Sequence, residues 1–402
     1  MAAVIGSGGS AMRLKPTDVV VIDAVRSPLG RRGDGCFREL SAARLSASVV
    51  DALLLRNPAL DPDAVEDLIW GCTNQAAEQG GNLARIALLL SGLPQTVPAQ
   101  TVNRLAASSM TALHIGTQGI RSGAGDCYIV GGVECKGGAT LNHELDPILG
   151  RVTARAAARP AAVAELLAHT HAIDRQLQDS YALRSHERAR RMQRDGDWEA
   201  ELVSVEGVDE HGYLRQIRHD EWLHHGIGRE QLEACKPVLT NRDGGSVTRG
   251  NMAPPADGAS ALLLMSAEKA RLLSLKPRAR VLAMAVTACD PAVGGLGVIT
   301  AVEKLLDQSG LALADIDLIE LHEESAAQVL AVLKELELLN KLDDRVNLCG
   351  GAIALGDPPG CSGARICTTL LHQMQRRDAG LGLALVSAGM GQGVATLFER
   401  LN

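Results

Sequence analysis

The side chains of this chain best suited to attack a carbonyl are its nine cysteines, Cys36, Cys72, Cys127, Cys135, Cys235, Cys289, Cys349, Cys361 and Cys367. They form no CxxC pair and no regular spacing, so they read as free thiols of a reducing cytoplasm. Histidines pair at His169/His171 and His224/His225, but no neighbouring cysteine or carboxylate completes a metal-ligand set, and surface positions are the simpler reading. Glu323 and Glu324 are adjacent carboxylates; on a strand they point to opposite faces, so only one can reach a pocket. Arg151, Arg155, Arg159, Arg175, Arg184, Arg188, Arg190, Arg191 and Arg194 crowd one stretch. Arginine's planar fork suits phosphate, which admits a nucleotide-phosphate ligand; a solvated helix face is the reading such runs favour. Gly389-x-Gly391-x-Gly393 is a poor dinucleotide fingerprint, because a strand rather than a long helix follows it.

The elements that must hold these residues alternate β-branched runs with helical patterns, the signature of α/β architecture. Asp18–Val25, Val65–Gly71 and Asp126–Glu134 read as strands, with helices over Ser41–Leu55 and Ala106–Ser122. The order then repeats: Arg278–Val286, a helix at Ala301–Ser309, Asp315–Leu321, an elbow after Val346–Asn347, and Gly380–Ser387. Two copies of one βαβ-rich unit follow, with a polar, Arg- and His-rich insert between them. The chain has 402 residues, 46% hydrophobic and 22% charged, with 42 glycines and only 2% aromatics. That excludes a disordered or fibrous chain. A net charge of −7 and few aromatics argue against a nucleic-acid partner. The opening Met1–Arg13 reads as a loose tail without a secretory leader. Ala379–Phe398 carries five glycines and reads as paired strands rather than a membrane span.

At the elbows the chain resembles the thiolase superfamily, most closely the bacterial 3-ketoacyl-CoA thiolases that form the beta subunit of the fatty-acid-oxidation complex. The similarity runs from about Asp18 to Arg400 and is carried by VEDLIWGCTNQAAEQGGNLAR (65–85), AQTVNRLAASSMTALH (99–114), IVGGVE (129–134), GGSVTRGN (244–251), DGASALLLMS (257–266), VNLCGGAIALGDPPGCSGARI (346–366) and GMGQGVATLFER (389–400). It implies a five-layered αβαβα fold of two similar halves with an inserted loop domain. The expected division is a tail over 1–15, a first half over 16–140 completed by 250–275, an insert over 141–249, and a second half over 276–402.

The resemblance also implies site residues. Ala106 falls where the family keeps its nucleophilic cysteine, and a methyl group cannot attack a thioester; none of the nine cysteines is offset by a residue or two to replace it. Asp357 falls at the family's catalytic histidine, Ser387 at its second cysteine, and His322 at an asparagine, while Glu323 is kept and is therefore the carboxylate expected in the pocket. Ala253 falls at a serine that contacts pantetheine, followed by Pro254 and Pro255, and Gly389 and Gly391 fall beside the coenzyme. From these positions the expected function is a thiolase-like protein without normal thiolysis, acting as an acyl-CoA binder or a non-catalytic subunit. A hydrolase built on His322, Asp357 and Ser387, the residue types of a triad, is one alternative; an inactivated acetyl-CoA C-acyltransferase is another. The resemblance further implies a cytoplasmic homodimer, with an active thiolase or a multifunctional oxidation subunit as partner. No cofactor is expected beyond coenzyme A thioester as ligand, and neither a metal nor a membrane span.

Overall fold

The computed structural model of the chain describes residues 14–135, 148, 159–224, 227–239 and 244–401. The expected tail over 1–13, Arg151, Arg155 and His225 lie outside them. The strands of the described residues are β1 (Val19–Arg26), β2 (Gly30–Arg31), β3 (Asp67–Gly71), β4 (Ala99–Val102), β5 (Cys127–Glu134), β6 (Val205–Val208), β7 (Leu214–Ile217), β8 (Ala256–Ser266), β9 (Ala279–Ala288), β10 (Leu318–Leu321), β11 (Leu381–Ala388) and β12 (Gln392–Arg400). The helices are α1 (Ala42–Arg56), α2 (Leu83–Leu90), α3 (Ser108–Ser122), α4 (Pro160–Thr170), α5 (Arg175–Arg194), α6 (Arg229–Ala234), α7 (Ala267–Leu272), α8 (Gly297–Ser309), α9 (Ala326–Glu335), α10 (Leu342–Arg345), α11 (Ala352–Leu355) and α12 (Pro359–Arg376).

The strands follow the order β10-β11-β12-β9-β1-β8-β5-β3-β4, with β2 beside β8 and β6–β7 as a separate hairpin. In the first half β3 is parallel to β4 and β5, and β8 is antiparallel to β5 and β1. The second half repeats this: β10 is parallel to β11, and β12 is antiparallel to β11 and β9. The place of β4 is taken by one parallel bridge, Ile319 to Val346. Asn347 turns to φ +44° straight after that bridge, which is why Val346–Asn347 forms no second edge strand.

Side-chain alternation along the strands builds the layers. Val19, Val21 and Ala24 point inward with Ala384, Val386 and Phe398, burying Met110 and Leu113 of α3 and Ile366 and Leu370 of α12 between the halves. Val20, Ile22 and Val25 point outward onto Leu45, Val49 and Leu53 of α1. Leu383, Leu385 and Leu397 point outward onto Val298 and Leu305 of α8 and Val329 of α9. The five layers are thus helix, sheet, helix, sheet, helix. Fifteen of the 18 residues of α12 are buried, as its central position demands, and small residues let the layers approach. A Cβ on Gly132 would lie 2.2 Å from the Gly360 carbonyl oxygen, so nothing larger fits where β5 passes α12.

Element ends differ from the sequence expectation by a few residues. α8 starts at Gly297 rather than Ala301, and Val65 caps a short turn over Pro62–Ala64 instead of starting β3. The Asp209–Gly212 turn closes the β6–β7 hairpin, with Asp209 Oδ1 accepting from the His211 and Tyr213 amides. No helix among the described residues is long and apolar enough to cross a membrane. The stretch read as paired strands is the antiparallel β11–β12 pair.

Candidate functional site

Ligands of open α/β sheets gather beyond the carboxyl ends of the strands. Here the residues leaving β3, β4, β5, β10 and β11 meet at one edge. The Glu134 carboxylate at the end of β5 accepts from the amides of Thr73 (3.2 Å), Asn74 (3.2 Å) and Gly360 (3.0 Å). Thr73 Oγ1 donates to the Leu105 carbonyl at 3.0 Å, and Arg104 Nη1 donates to Gln392 Oε1 at 3.2 Å. The first elbow is therefore tied both to β3 and to the turn between β11 and β12.

Ala106 is half-buried on that elbow, after Leu105 at φ +51° and two residues before α3 begins. Ala107 caps the helix without a side-chain hydrogen bond. Gly389 packs against the same elbow: a Cβ there would lie 2.8 Å from Leu105 Cδ1. Gly391 has φ +81°, and a Cβ on it would lie 2.4 Å from the Cys289 carbonyl oxygen, so the turn requires glycine. Burial, reinforced by Glu134, holds the Cys72 thiol well above its ordinary range, and burial raises Cys289 and pushes Cys361 up to about 12. These thiols stay protonated.

His322, held by its backbone amide on the Leu385 carbonyl at 2.9 Å, is 1% exposed. Its Nε2 pairs with Asp357 Oδ1 at 2.9 Å, and Ser362 Oγ donates to the same oxygen at 2.5 Å. His322 Nδ1 is buried and has no hydrogen-bond partner among the described residues. Burial works against a charge on this imidazole, but the charge and hydrogen bond of Asp357 outweigh it and raise the His322 pKa above the ordinary 6.5. Burial likewise works against the Asp357 carboxylate, and His322 and Ser362 outweigh it, holding Asp357 below 3.8. The two shifts describe one ion pair seen from each partner.

Asp357 and Glu324 are linked by the Ala253–Pro254 segment: the Ala253 amide donates to the Glu324 carbonyl (3.1 Å), and the Asp357 amide donates to the Pro254 carbonyl (2.8 Å). Ala253 thus borders the site with no hydroxyl to offer. Glu324 is part-buried; burial raises its carboxyl pKa, His322 lowers it and Asp357 raises it further.

Two expectations are corrected by this geometry. Ser387 does not complete a triad: its hydroxyl donates to the Gly295 carbonyl at 2.7 Å and accepts from Gln328 Nε2 at 3.2 Å. Glu323 does not face the pocket. It is fully buried on the opposite side of the chain, accepting from Tyr181 Oη, Ser185 Oγ, Asn347 Nδ2 and the Ile353 amide. Alternation places Glu324, not Glu323, beside His322 and Asp357. Sequence reasoning also missed Ser362, whose signal was its position in the first turn of the helix that follows Asp357. Among the histidine pairs, His171 is bound to Glu335 at 3.1 Å. Among the described residues no group of three His, Cys, Asp or Glu side chains could hold a metal.

The ion pair has a pH signature. The lowered Asp357 adds stability present above pH 3.8 and lost as pH falls through its depressed value; the raised His322 adds stability complete below pH 6.5 and lost as pH rises through its raised value. The difference in thermal midpoint between the native chain and Asp357→Asn is therefore expected to be greatest between those two pH values. A difference that does not change from pH 3 to pH 9 would show that the pair is not charged.

A two-half αβαβα fold with its site at the strand ends defines the class, and the sequence comparisons agree: residues 19–268 match the thiolase N-terminal domain and residues 275–400 the thiolase C-terminal domain. The chain belongs to the thiolase family. The 3-ketoacyl-CoA thiolases of Alcanivorax borkumensis and Chromohalobacter salexigens are 47% and 49% identical to it, each over 97% of this chain and 100% of the relative. Among solved structures, a Bacillus anthracis acetyl-CoA acetyltransferase superposes with a TM-score of 0.85 at 33% identity, and human mitochondrial 3-ketoacyl-CoA thiolase with 0.86 at 32%; both cover 96% of this chain and 99% of theirs. These full-length relatives, named for thiolysis, overturn the expectation of an acyl-CoA binder or helper subunit without it. Over a normal thiolase they favour neither the hydrolase nor the inactivated-enzyme alternative.

Proposed function

We propose that the chain cleaves 3-ketoacyl-CoA with coenzyme A, giving acetyl-CoA and a shortened acyl-CoA. The observation that carries this is similarity to 3-ketoacyl-CoA thiolases over the whole of their length. Ala106 offers only a methyl group, so in this reading the acyl group passes directly to the sulfur of coenzyme A, with no residue acylated. Neutral His322, its Nε2–H held by Asp357, takes the thiol proton at Nδ1. The thiolate adds to the C3 carbonyl, and the C2–C3 bond breaks with its electron pair left on C2. The resulting acetyl-CoA enolate recovers the proton from His322 Nδ1. Asp357 stabilises the imidazolium that exists between the two transfers. The buried, unpartnered Nδ1 supports this role, since a polar atom without a partner costs about 1–3 kcal/mol until substrate supplies one. The same reading takes the chain as a cytoplasmic homodimer, supported by free cysteines throughout and by β4 at the sheet edge.

The test is to incubate the purified chain with coenzyme A and either acetoacetyl-CoA or a longer 3-ketoacyl-CoA, and to identify products by mass spectrometry. Acetoacetyl-CoA should give two acetyl-CoA per molecule cleaved, and the longer substrate acetyl-CoA and the shortened acyl-CoA in equal amounts. Cleavage no faster than in a protein-free sample overturns the proposal, and an acylated side chain on the protein overturns direct transfer.

A further inference from the structure

The arginine-rich run of α5 is not absorbed by the site above, and the structure divides it. Arg175 is spent on Asp179 (2.7 Å) and on the carbonyls that end α6. Arg184, Arg188, Arg190, Arg191 and Arg194 instead line a cleft of about 670 Å³ with Glu187 and Asp343. A second cavity of about 580 Å³ shares Arg188, Arg191 and Asp343 with it and adds Asp344, Leu348, Arg376 and Arg377. Seven guanidinium groups thus face three carboxylates in a chain whose net charge is −7.

The partners present do not use up this charge. Asp343 accepts from Arg184 Nε at 2.9 Å and Arg188 Nη2 at 2.7 Å, but its side chain is 78% exposed. Arg184 Nη2 is anchored on the carbonyls of Leu342 (2.5 Å) and Val346 (2.7 Å). The Nη1 atoms of both Arg184 and Arg188 are buried without a hydrogen-bond partner among the described residues. Burial first, and then the neighbouring Arg184, push the Arg188 guanidinium down to about 10. Of the rest, Arg194 pairs with Asp195 at 3.2 Å, Arg190 Nη2 donates to the Ile227 carbonyl at 3.2 Å, Arg376 pairs with Asp197, and Arg377 Nε donates to Gln373.

We propose that this cleft, between the C-terminal half of α5, α10 and the end of α12, binds a small molecule through a diphosphate group. Oriented donors with no partner, held on a helix and on backbone carbonyls, suit phosphate oxygens, which arginine recognises through paired N–H groups. Arg188 and Arg191 line both lobes, and a diphosphate comes nearer than a single phosphate to matching the excess charge. None of the lining residues belongs to the thiolysis site, so this inference stands apart from that reading.

Calorimetry with magnesium-free pyrophosphate, ADP and inorganic phosphate at constant ionic strength tests it. Pyrophosphate is expected to bind one per chain, at least about tenfold more tightly than phosphate, and to weaken as salt is raised. R188Q should weaken it by at least about tenfold, and so should R191Q, whose side chain is exposed and whose fold should be intact; 3-ketoacyl-CoA cleavage should be unchanged in both. ADP binding as tightly as pyrophosphate identifies a diphosphate ester as the ligand; exclusion of ADP identifies free diphosphate. Undetectable pyrophosphate binding, full binding by folded R191Q, or equal competition by poly-glutamate would each overturn the proposal, the last by making the cleft a docking site for an acidic protein.

Discussion

His322→Gln is expected to slow 3-ketoacyl-CoA cleavage by roughly 10²–10⁴-fold, the range for loss of a general base, with little change in KM. Glutamine can keep a hydrogen bond to Asp357 (now 2.9 Å from His322 Nε2) but cannot take a proton at the position of Nδ1. The variant should therefore fold while losing the transfer step. The pH profile separates this from a structural role. Because Asp357 raises the His322 pKa against the pull of burial, the neutral base prevails only above a pH higher than 6.5, and the native rate should climb through that pH to a plateau. Asp357→Asn removes the largest influence that raises the His322 pKa and leaves only the Glu324 charge against burial, so the climb should move to lower pH. His322→Gln should flatten it. A native profile without the climb, or a His322→Gln rate within threefold of native, would remove His322 from the reaction.

The strands were legible because β-branched runs are local, but their faces were not: a register shift between Val21 and Asp23 puts Ala24 on the inner face with Val19 and Val21, where plain alternation would group it with Val20 and Ile22. The first elbow was legible as well, since a strand ending at Val102 and a helix of small residues after Ala107 leave little choice of path. The fate of Glu323 was not. Its partners Tyr181 and Ser185 lie 142 and 138 positions away in sequence, on a helix of the insert whose docking no local pattern records. The same distance hid the failure of the triad. Residue types at 322, 357 and 387 fit one, but Gly295 and Gln328 take the hydroxyl of Ser387. Choosing between Glu323 and Glu324 needed only the strand's two faces and knowledge of which one His322 shares. The arginine run was read as solvent-facing because charge runs usually are; its cleft exists only because α10 and the end of α12 close over it.

Glu323→Ala is expected to be the most destabilising single change at this edge of the fold, at about 3–5 kcal/mol, as when one member of a buried charged network is removed. The carboxylate accepts from Tyr181 Oη (2.8 Å), Ser185 Oγ (2.8 Å), Asn347 Nδ2 (3.0 Å) and the Ile353 amide (3.1 Å). Those donors come from α5 of the insert, the second elbow and α11, so one side chain fastens three separately folded segments. It also has no room to shift: a Cβ on Gly351 would lie 2.4 Å from Glu323 Cδ. Tyr181 registers the same contact, its phenol raised well above the ordinary range by burial and then by the Glu323 charge. Alanine would take an acceptor from all four donors next to a void, with only Asn347 Nδ2 keeping another, the Leu321 carbonyl at 2.8 Å. Glutamine would turn an amide donor against some of the same groups. Tyr181→Phe, which gives up one of the four hydrogen bonds to Glu323 and the one its hydroxyl accepts from Asn347 Nδ2 at 3.1 Å, should cost only about 1–2 kcal/mol. Urea titration of the three variants should therefore rank alanine, then glutamine, then Tyr181→Phe in loss of stability. Hydrogen exchange should show α5 losing protection first, because the insert loses its anchor while both sheets keep their ladders. A Glu323→Gln chain as stable as native but unable to cleave 3-ketoacyl-CoA would instead make Glu323 part of the chemistry and return it to the pocket.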